Sequence, residues 1–290
     1  MKYLFPIIQF ILRIFNLIPL RILYIFSDIL SPFLNHIVRY RSKVVLNNLK
    51  KSFPEKTDIQ IKTILKGFYR HFTDLIFEVI KLGSLSEKEL FRRVTVSGEE
   101  ILTDLAALKK GVVVVMSHNG NWEWTSQRVC FSGRSFEYVG VVAKEVSDPY
   151  FDKYFNDLRM RLQEGFSEII PFNETARHLA SVRHKTSMLI TIADQTPHIG
   201  QIQYRTNFMN QNSGVFLGPE RIAKSLNFAV VFCHVSKPRR GMYHIEYELI
   251  TDAPKESPPF EITNSHVKML EDDIRKQPKI WLWSHRRWKY

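Results

Sequence analysis

Two of the chain's ten histidines have a carboxylate five residues later: His118 with Glu123, and His266 with Glu271. An imidazole that takes a proton near neutral pH, with a carboxylate on its other ring nitrogen, is a general base with an orienting partner. Five helical steps carry a side chain about 140° past a full turn, so residues so spaced on one helix do not share a face. His266 and Glu271 fall in one amphipathic helical pattern and read as a chance match on a solvated face. His118 follows Gly111-Val-Val-Val-Val-Met-Ser117, a β-branched run that reads as a buried strand. Asn119-Gly120-Asn121 then supplies a bend, with Gly120 tolerating unusual backbone angles and Asn121 suited to cap a helix. His118 is thereby expected in a loop and Glu123 in the first turns of the next helix, at a strand's carboxyl end, where open α/β sheets gather reactive groups.

Asp194-Gln195 closes a second apolar strand and is expected to open onto the same face of the sheet. It reads as a polar contact to substrate or a supporting bond to the site, or else as a turn ahead of Pro197. At the C-terminus Trp281, Trp283 and Trp288 interleave with His285, Arg286, Arg287 and Lys289. Forked guanidinium donors suit phosphate and indoles suit membrane interfaces. The tryptophans are expected to lie partly in the core, with Arg286 near the site. Lys237-Pro-Arg239-Arg240 reads as a charged hairpin turn. Cys130 and Cys233 sit in or beside apolar segments without a C-x-x-C pattern, so buried reduced thiols are expected rather than nucleophiles.

The elements that position these groups follow from periodicity. Helical spacing runs from Asp58 to Leu82, with Ile61, Ile64, Leu65, Phe68, His71, Phe72 and Ile76 on one side. Further strands are expected at Phe136–Ala143, Glu168–Phe172, Ser187–Ala193, Phe228–Ser236 and Met242–Ile250. Helices are expected near 98–109, 121–130, 149–164, 173–183, 214–226 and 262–276, and Ala253–Pro259 as a surface loop. Strands alternating with helices predict an α/β fold with a mostly parallel central sheet flanked by helices.

Residues 3–38 are mostly large and apolar but carry Arg13, Arg21 and Asp28 and are broken by Pro6, Pro19 and Pro32. They read as a membrane-anchoring helical segment, either a span or an embedded or interfacial hairpin. Arg39, Arg41, Lys43, Lys50 and Lys51 follow, as suits the cytoplasmic side of an anionic membrane. The expected division is a helical anchor over 1–40 and one catalytic domain over 41–290. Lys and Arg number 41 against 29 acids, a net charge of +12 that calls for a polyanionic partner. Nucleic acid is disfavoured, because the charge follows no recognised nucleic-acid-binding pattern and the N-terminus is apolar. A non-enzymatic, basic lipid-binding protein would explain the anchor and charge but not the histidine–glutamate spacing.

His118-Asn-Gly-Asn-Trp-Glu123 after a strand resembles the acyltransferase signature of the lipid A late acyltransferase family. Four further blocks are similar in the same order: Asn47-Asn-Leu-Lys-Lys-Ser-Phe-Pro-Glu55; Arg159-Met-Arg161 with Gly165; Asp194-Gln-Thr-Pro197; and Pro278-Lys-Ile-Trp-Leu-Trp-Ser-His-Arg-Arg-Trp-Lys289. The resemblance implies a glycerolipid-acyltransferase-like fold, an acyl carrier protein as donor and a lipid A precursor or related anionic lipid as acceptor. It implies an enzyme of the cell inner membrane with its catalytic domain facing the cytoplasm, needing neither metal nor cofactor. His118 and Glu123 would be catalytic, and Asn121, Arg159, Arg161, Asp194, Gln195 and Arg286 would meet substrate. Either Arg159 or Arg161 can be the matching arginine. Branches of the family act on other lipids, so a lysophospholipid or aminolipid O-acyltransferase is the nearest alternative.

Overall fold

The computed structural model describes residues 4–163 and 165–290. The first three residues of the expected anchor, and position 164 of the expected 149–164 helix, lie outside the described residues. The chain opens with helices α1 (Phe5–Leu17) and α2 (Leu20–Pro32), the latter continued by a π-helical stretch over Phe33–Ile37. Then come α3 (Ser42–Ser52), α4 (Asp58–Lys81) and α5 (Glu87–Arg93). The α/β part runs β1 (Val94–Ser97), α6 (Glu99–Ala107), β2 (Val112–Met116), α7 (Trp122–Ser132), β3 (Tyr138–Ala143), α8 (Pro149–Met160) and β4 (Ser167–Pro171). It continues through α9 (Thr175–Ser181), β5 (Ser187–Ile192), a hairpin of β6 (Arg205–Phe208) and β7 (Gln211–Gly214), and α10 (Gly218–Leu226). It closes with β8 (Ala229–Arg239), β9 (Met242–Thr251) and α11 (Glu261–Lys276).

Seven strands form one sheet in the order β1-β9-β8-β2-β5-β3-β4. Neighbours are parallel except the β8–β9 hairpin, so β9 and β1 run against the other five. This is the mostly parallel α/β fold expected from the alternation of elements. Strand β2 lies between β5 and β8, which is why all five of its residues are buried and why its sequence does not alternate. Two cores result. Val112, Val114 and Met116 point to the side covered by α7, with Trp124 and Cys130, while Val113 and Val115 point to the side covered by α4, α10 and α11.

Helix α4 starts on a reciprocal cap: the Gln60 N–H donates to Thr57 Oγ1 (3.3 Å) and the Thr57 N–H to Gln60 Oε1 (2.9 Å). Its buried face begins apolar, with Ile61, Ile64 and Phe68, and turns polar with His71, Asp74 and Glu78. Helix α2 packs on it: Leu20 and Leu23 join the core, and the Ser27 hydroxyl lies 2.9 Å from Thr73 Oγ1 and 2.7 Å from Asp74 Oδ1. The expected hairpin turn is formed by Arg240 and Gly241 alone, with Lys237, Pro238 and Arg239 at the end of β8, and the charges are not simply solvated. Arg240 donates to Asp28 (2.9 Å) and to buried Asp74 (3.0 Å), and Lys237 lies 3.4 Å from Asp74. The turn therefore ties α2 to α4. His266 also departs from expectation. It lies on the buried face of α11, where burial lowers its pKa to about 4, and Glu271 is engaged by the Met209 N–H and Arg275 instead.

Among the described residues no single helix is long and apolar enough to cross a membrane. The pair Phe5–Leu17 and Leu20–Ile37, bent by 118°, reaches that length and composition together. Its outer side exposes Ile7, Phe10, Ile14, Leu17, Ile25 and Ile29.

Glu78 joins the helical layer to the sheet. Its carboxyl oxygens accept from Tyr24 (2.7 Å), Tyr243 (2.7 Å) and Asn121 Nδ2 (2.9 Å), all without exposure of the acid itself. Glu78→Leu removes the acceptor and strands these donors in the interior, so it should cost about 2–3 kcal/mol. Denaturant unfolding of the two proteins checks this, and equal stabilities would contradict the linking role.

Candidate active site

Residues 119–121 of the loop after β2 are each held by neighbouring elements. The Asn119 amide donates to Val235 O (2.8 Å), and the Gly120 N–H donates to Ile280 O (2.9 Å). His71 Nε2 lies 3.2 Å from Gly120 O, with Lys237 Nζ 3.1 Å from its other nitrogen, so Nε2–H donates to that carbonyl. Gly120 has φ +66°, and a Cβ there would meet Val235 Cγ1 at 2.8 Å, so both the turn and the close approach require glycine. Asn121 caps α7 as expected, accepting from the Trp124 N–H at 3.0 Å, while its Nδ2 is bound to Glu78. It is fully buried and faces the protein, not the cavity.

Register fixes the partner of His118. Strands β2 and β5 are parallel with Met116 beside Ile192, and the pairing continues with the Ala193 N–H donating to Met116 O. Two residues further along both strands, His118 and Asp194 stand side by side. Asp194 Oδ1 lies 2.7 Å from His118 Nδ1, and Oδ2 accepts from the His118 N–H (3.1 Å) and Trp281 Nε1 (2.8 Å). Burial works to raise the Asp194 pKa, but the charge of His118 and these hydrogen bonds outweigh it and hold it at about 2. An ionised Asp194 keeps the proton on Nδ1 and leaves Nε2 as the basic nitrogen. The Gln195 amide nitrogen lies 3.3 Å from Nε2, and the Trp122 ring stands edge-on to the imidazole at 4.9 Å.

The expected orienting bond from Glu123 to His118 is not made. Glu123 faces α8, where Arg159 grips it with both arms of its guanidinium, Nε to Oε2 at 2.9 Å and Nη2 to Oε1 at 2.7 Å. Glu123 is thus engaged by α8, while the carboxylate of the imidazole comes from the end of β5. Burial opposes the Arg159 charge, but the bond and charge of Glu123 raise its pKa. Arg161 points elsewhere: its guanidinium donates to Leu82 O (3.0 Å) and Leu85 O, clamping the end of α4, and it does not line the cavity. Arg286 is exposed and likewise lines no part of the cavity, while its neighbour Arg287 is 3% exposed and donates to Thr196 Oγ1 (3.0 Å) and Gly214 O (2.7 Å). Trp281 and Trp283 are core, as expected. Burial pushes the Cys130 thiol up to about 12 and the Cys233 thiol up as well, so neither is an activated nucleophile.

His118, Trp122, Glu123, Arg159 and Gln195 share the mouth of a cavity of about 810 Å³. Its walls mix aliphatic side chains with polar ones such as Lys144, Asn173, Thr191 and Gln201, and it reaches over the strand ends to both faces of the sheet. Val141, Ile169 and Ile190 line the side under α7, and Val142, Pro219 and Ile222 the side under α10. An imidazole with a carboxylate partner, a held cation and a chamber of this size with aliphatic stretches are compatible with acyl transfer from a long chain.

The profile of the bacterial lipid A biosynthesis acyltransferases matches residues 2–290. The chain belongs to that family. No curated protein matches it. Membership sets aside the non-enzymatic lipid-binding reading.

The blocks by which this acyltransferase resembles its family converge in space. Asn48 of α3 donates to Trp283 O (2.9 Å) and His285 O (3.0 Å), and Phe53 packs on Trp283 with ring centres 5.8 Å apart. The C-terminal segment then bridges the loops after β2 and β5, through Ile280 O to Gly120 and Trp281 Nε1 to Asp194. Trp281, Arg287, His71, Glu78 and Lys237 are supports that the sequence reading missed. A signal for two of them was present: His71 and Glu78 extend the apolar stripe of α4 at helical spacing, which places polar groups on a buried face.

The Asp194 pKa, displaced from 3.8 to about 2, ties stability to pH. A depressed carboxyl contributes fully above its ordinary pKa and loses that contribution as pH falls through the folded value. The stability lead of wild type over Asp194→Asn should therefore shrink by about 2 kcal/mol between about pH 5 and pH 2. Denaturant unfolding across that range checks it, and a pH-independent difference would contradict the ion pair.

Proposed function

We propose that this acyltransferase moves a fatty acyl group from acyl carrier protein to a hydroxyl of a lipid A precursor, with His118 as general base. The observation that carries the reading is the His118–Asp194 pair beside a large cavity with aliphatic stretches in its walls. His118 Nε2 takes the proton of the acceptor hydroxyl as its oxygen attacks the thioester carbonyl. Asp194 stays ionised and stabilises the imidazolium. The carbon–oxygen bond forms and the carbonyl becomes a tetrahedral oxyanion. Arg159, the Gln195 amide and the first N–H groups of α7 supply donors for that charge. The oxyanion collapses, the carbon–sulfur bond breaks, and the leaving thiolate takes the proton from His118.

Glu123 in this scheme positions Arg159. The ion pair fixes the guanidinium at the cavity mouth, so Glu123 acts through a neighbour and not on the imidazole. The net charge of +12 favours encounter with an acidic carrier protein and an anionic membrane. The bent N-terminal pair, with its exposed aliphatic side followed by Arg39, Arg41 and Lys43, suits an embedded anchor at the cytoplasmic face of the inner membrane.

Lipid A from a strain lacking the gene should lose one secondary acyl chain by mass spectrometry, and the wild-type gene should restore it. His118→Ala should fail to restore it, with turnover lowered about 10²–10⁴-fold and thermal stability and membrane retention unchanged. Near-normal turnover would refute the base assignment. Unchanged lipid A with a missing phospholipid or aminolipid species would move the acceptor to that class.

A further inference from the structure

The cavity meets solvent where its lining residues are exposed. Those are Lys144 after β3, Phe172 and Asn173 after β4, and His198 and Gln201 after β5, so three loops at the carboxyl ends of neighbouring strands form its lip. Each of these loops also leaves one large apolar side chain in water: Val146, Phe172 at 50% exposure and Ile199 at 57%. Tyr150, in the first turn of α8 beyond the β3 loop, is exposed as well. Outside residues 4–40, nine large apolar side chains are exposed among the described residues. Four of the nine at one opening is a concentration, not the ordinary scatter of single apolar groups over a surface.

The lip adjoins the outer side of the N-terminal hairpin. Phe5, buried at the start of α1, packs against Tyr150 and Phe151 with ring centres 5.5 and 5.4 Å away. From that contact the exposed Ile7, Phe10, Ile11 and Ile14 follow along α1. In the other direction Val146 lies between Tyr150 and Lys144 in the chain. Ala143 pairs with Pro171, so Lys144 and Phe172 leave neighbouring strand ends. The apolar fringe therefore runs from α1 to the opening of the cavity. Its charges do not suit an acidic protein, because Lys144 stands among Glu145, Asp148 and Glu174. Exposed apolar tips without a surplus of cations fit the acyl region of a bilayer. We infer that the lip enters the same bilayer as the hairpin, so that the cavity opens into the membrane and a lipid acceptor reaches His118 without its chains crossing water.

This second membrane contact rests on the reading of the hairpin as an anchor, and the experiment separates the two. Both native cysteines are buried, so a single cysteine added to the full-length protein can carry an environment-sensitive fluorophore. Val146→Cys, Phe172→Cys and Ile199→Cys report on the lip, and Ile14→Cys on the hairpin. Leu108→Cys is the aqueous control, exposed just before β2 at the opposite edge of the sheet. Vesicles of phosphatidylethanolamine and phosphatidylglycerol should shift the emission of the three lip probes to the blue. Nitroxide groups on the lipid acyl chains should quench them, as they quench the Ile14 probe, while the Leu108 probe stays unchanged. A response at Ile14 with none at the lip would overturn the lip contact and leave the anchor standing. Lip probes that respond to added acyl carrier protein and not to vesicles would also overturn it, by making the lip a protein-docking surface. A response at the lip with none at Ile14 would support the lip contact and remove the anchor.

Discussion

In the proposed mechanism the placement of one proton governs the chemistry. If the His118 imidazole carries its hydrogen on Nδ1, Nε2 is a base aimed into the cavity; if not, the same ring is a bystander. The 2.7 Å contact with Asp194 makes that choice, and it exists because two neighbouring parallel strands end in register. A slip of one residue between β2 and β5 would turn one of the two side chains to the opposite face of the sheet. The observed register runs from Val112 beside Met188 to Met116 beside Ile192 and is extended by the Ala193 N–H donating to Met116 O.

The surrounding structure protects the alignment. Residues 119–121 are bonded to β8, to α4 and to the C-terminal segment, so the loop has little freedom to relax. The supports are themselves buried and polar: Glu78 gathers three donors, His71 holds a carbonyl, and Trp281 anchors Asp194. Such networks stabilise a unique arrangement only when every member is satisfied. Arg240 carries the same logic outward, coupling Asp74 beneath the loop to Asp28 of the N-terminal helices. The apolar hairpin is therefore tied by charge to the layer that supports the loop after β2.

Much of this was legible in the sequence. The expected strands near residues 112, 138, 168, 187, 229 and 242 are present, since apolar runs bounded by turn residues carry a strong local signal. The loop–helix junction was readable because Gly120 and Asn121 have local backbone reasons to be there. The partner of His118 was not, because the sequence offers a nearby carboxylate at 123 and the true one lies 76 residues away. Only strand order and register, which are tertiary facts, distinguish them. Arg286 and Arg287 were indistinguishable for a similar reason: in an irregular segment, adjacent side chains point opposite ways without a period to follow. The hairpin of β6 and β7 escaped notice because its strands are polar and its turn is Met209-Asn210, both at positive φ without a glycine to mark it.

The central claim is that Asp194, and not Glu123, sets the tautomer of His118. Nitrogen-15 NMR of the imidazole reads this directly, with His118 assigned by its loss in His118→Ala. In wild type and in Glu123→Gln, the Nδ1 signal should be that of a protonated nitrogen with a strongly hydrogen-bonded proton. In Asp194→Asn that signature should vanish or move to Nε2. A spectrum unchanged by Asp194→Asn but altered by Glu123→Gln would contradict the account.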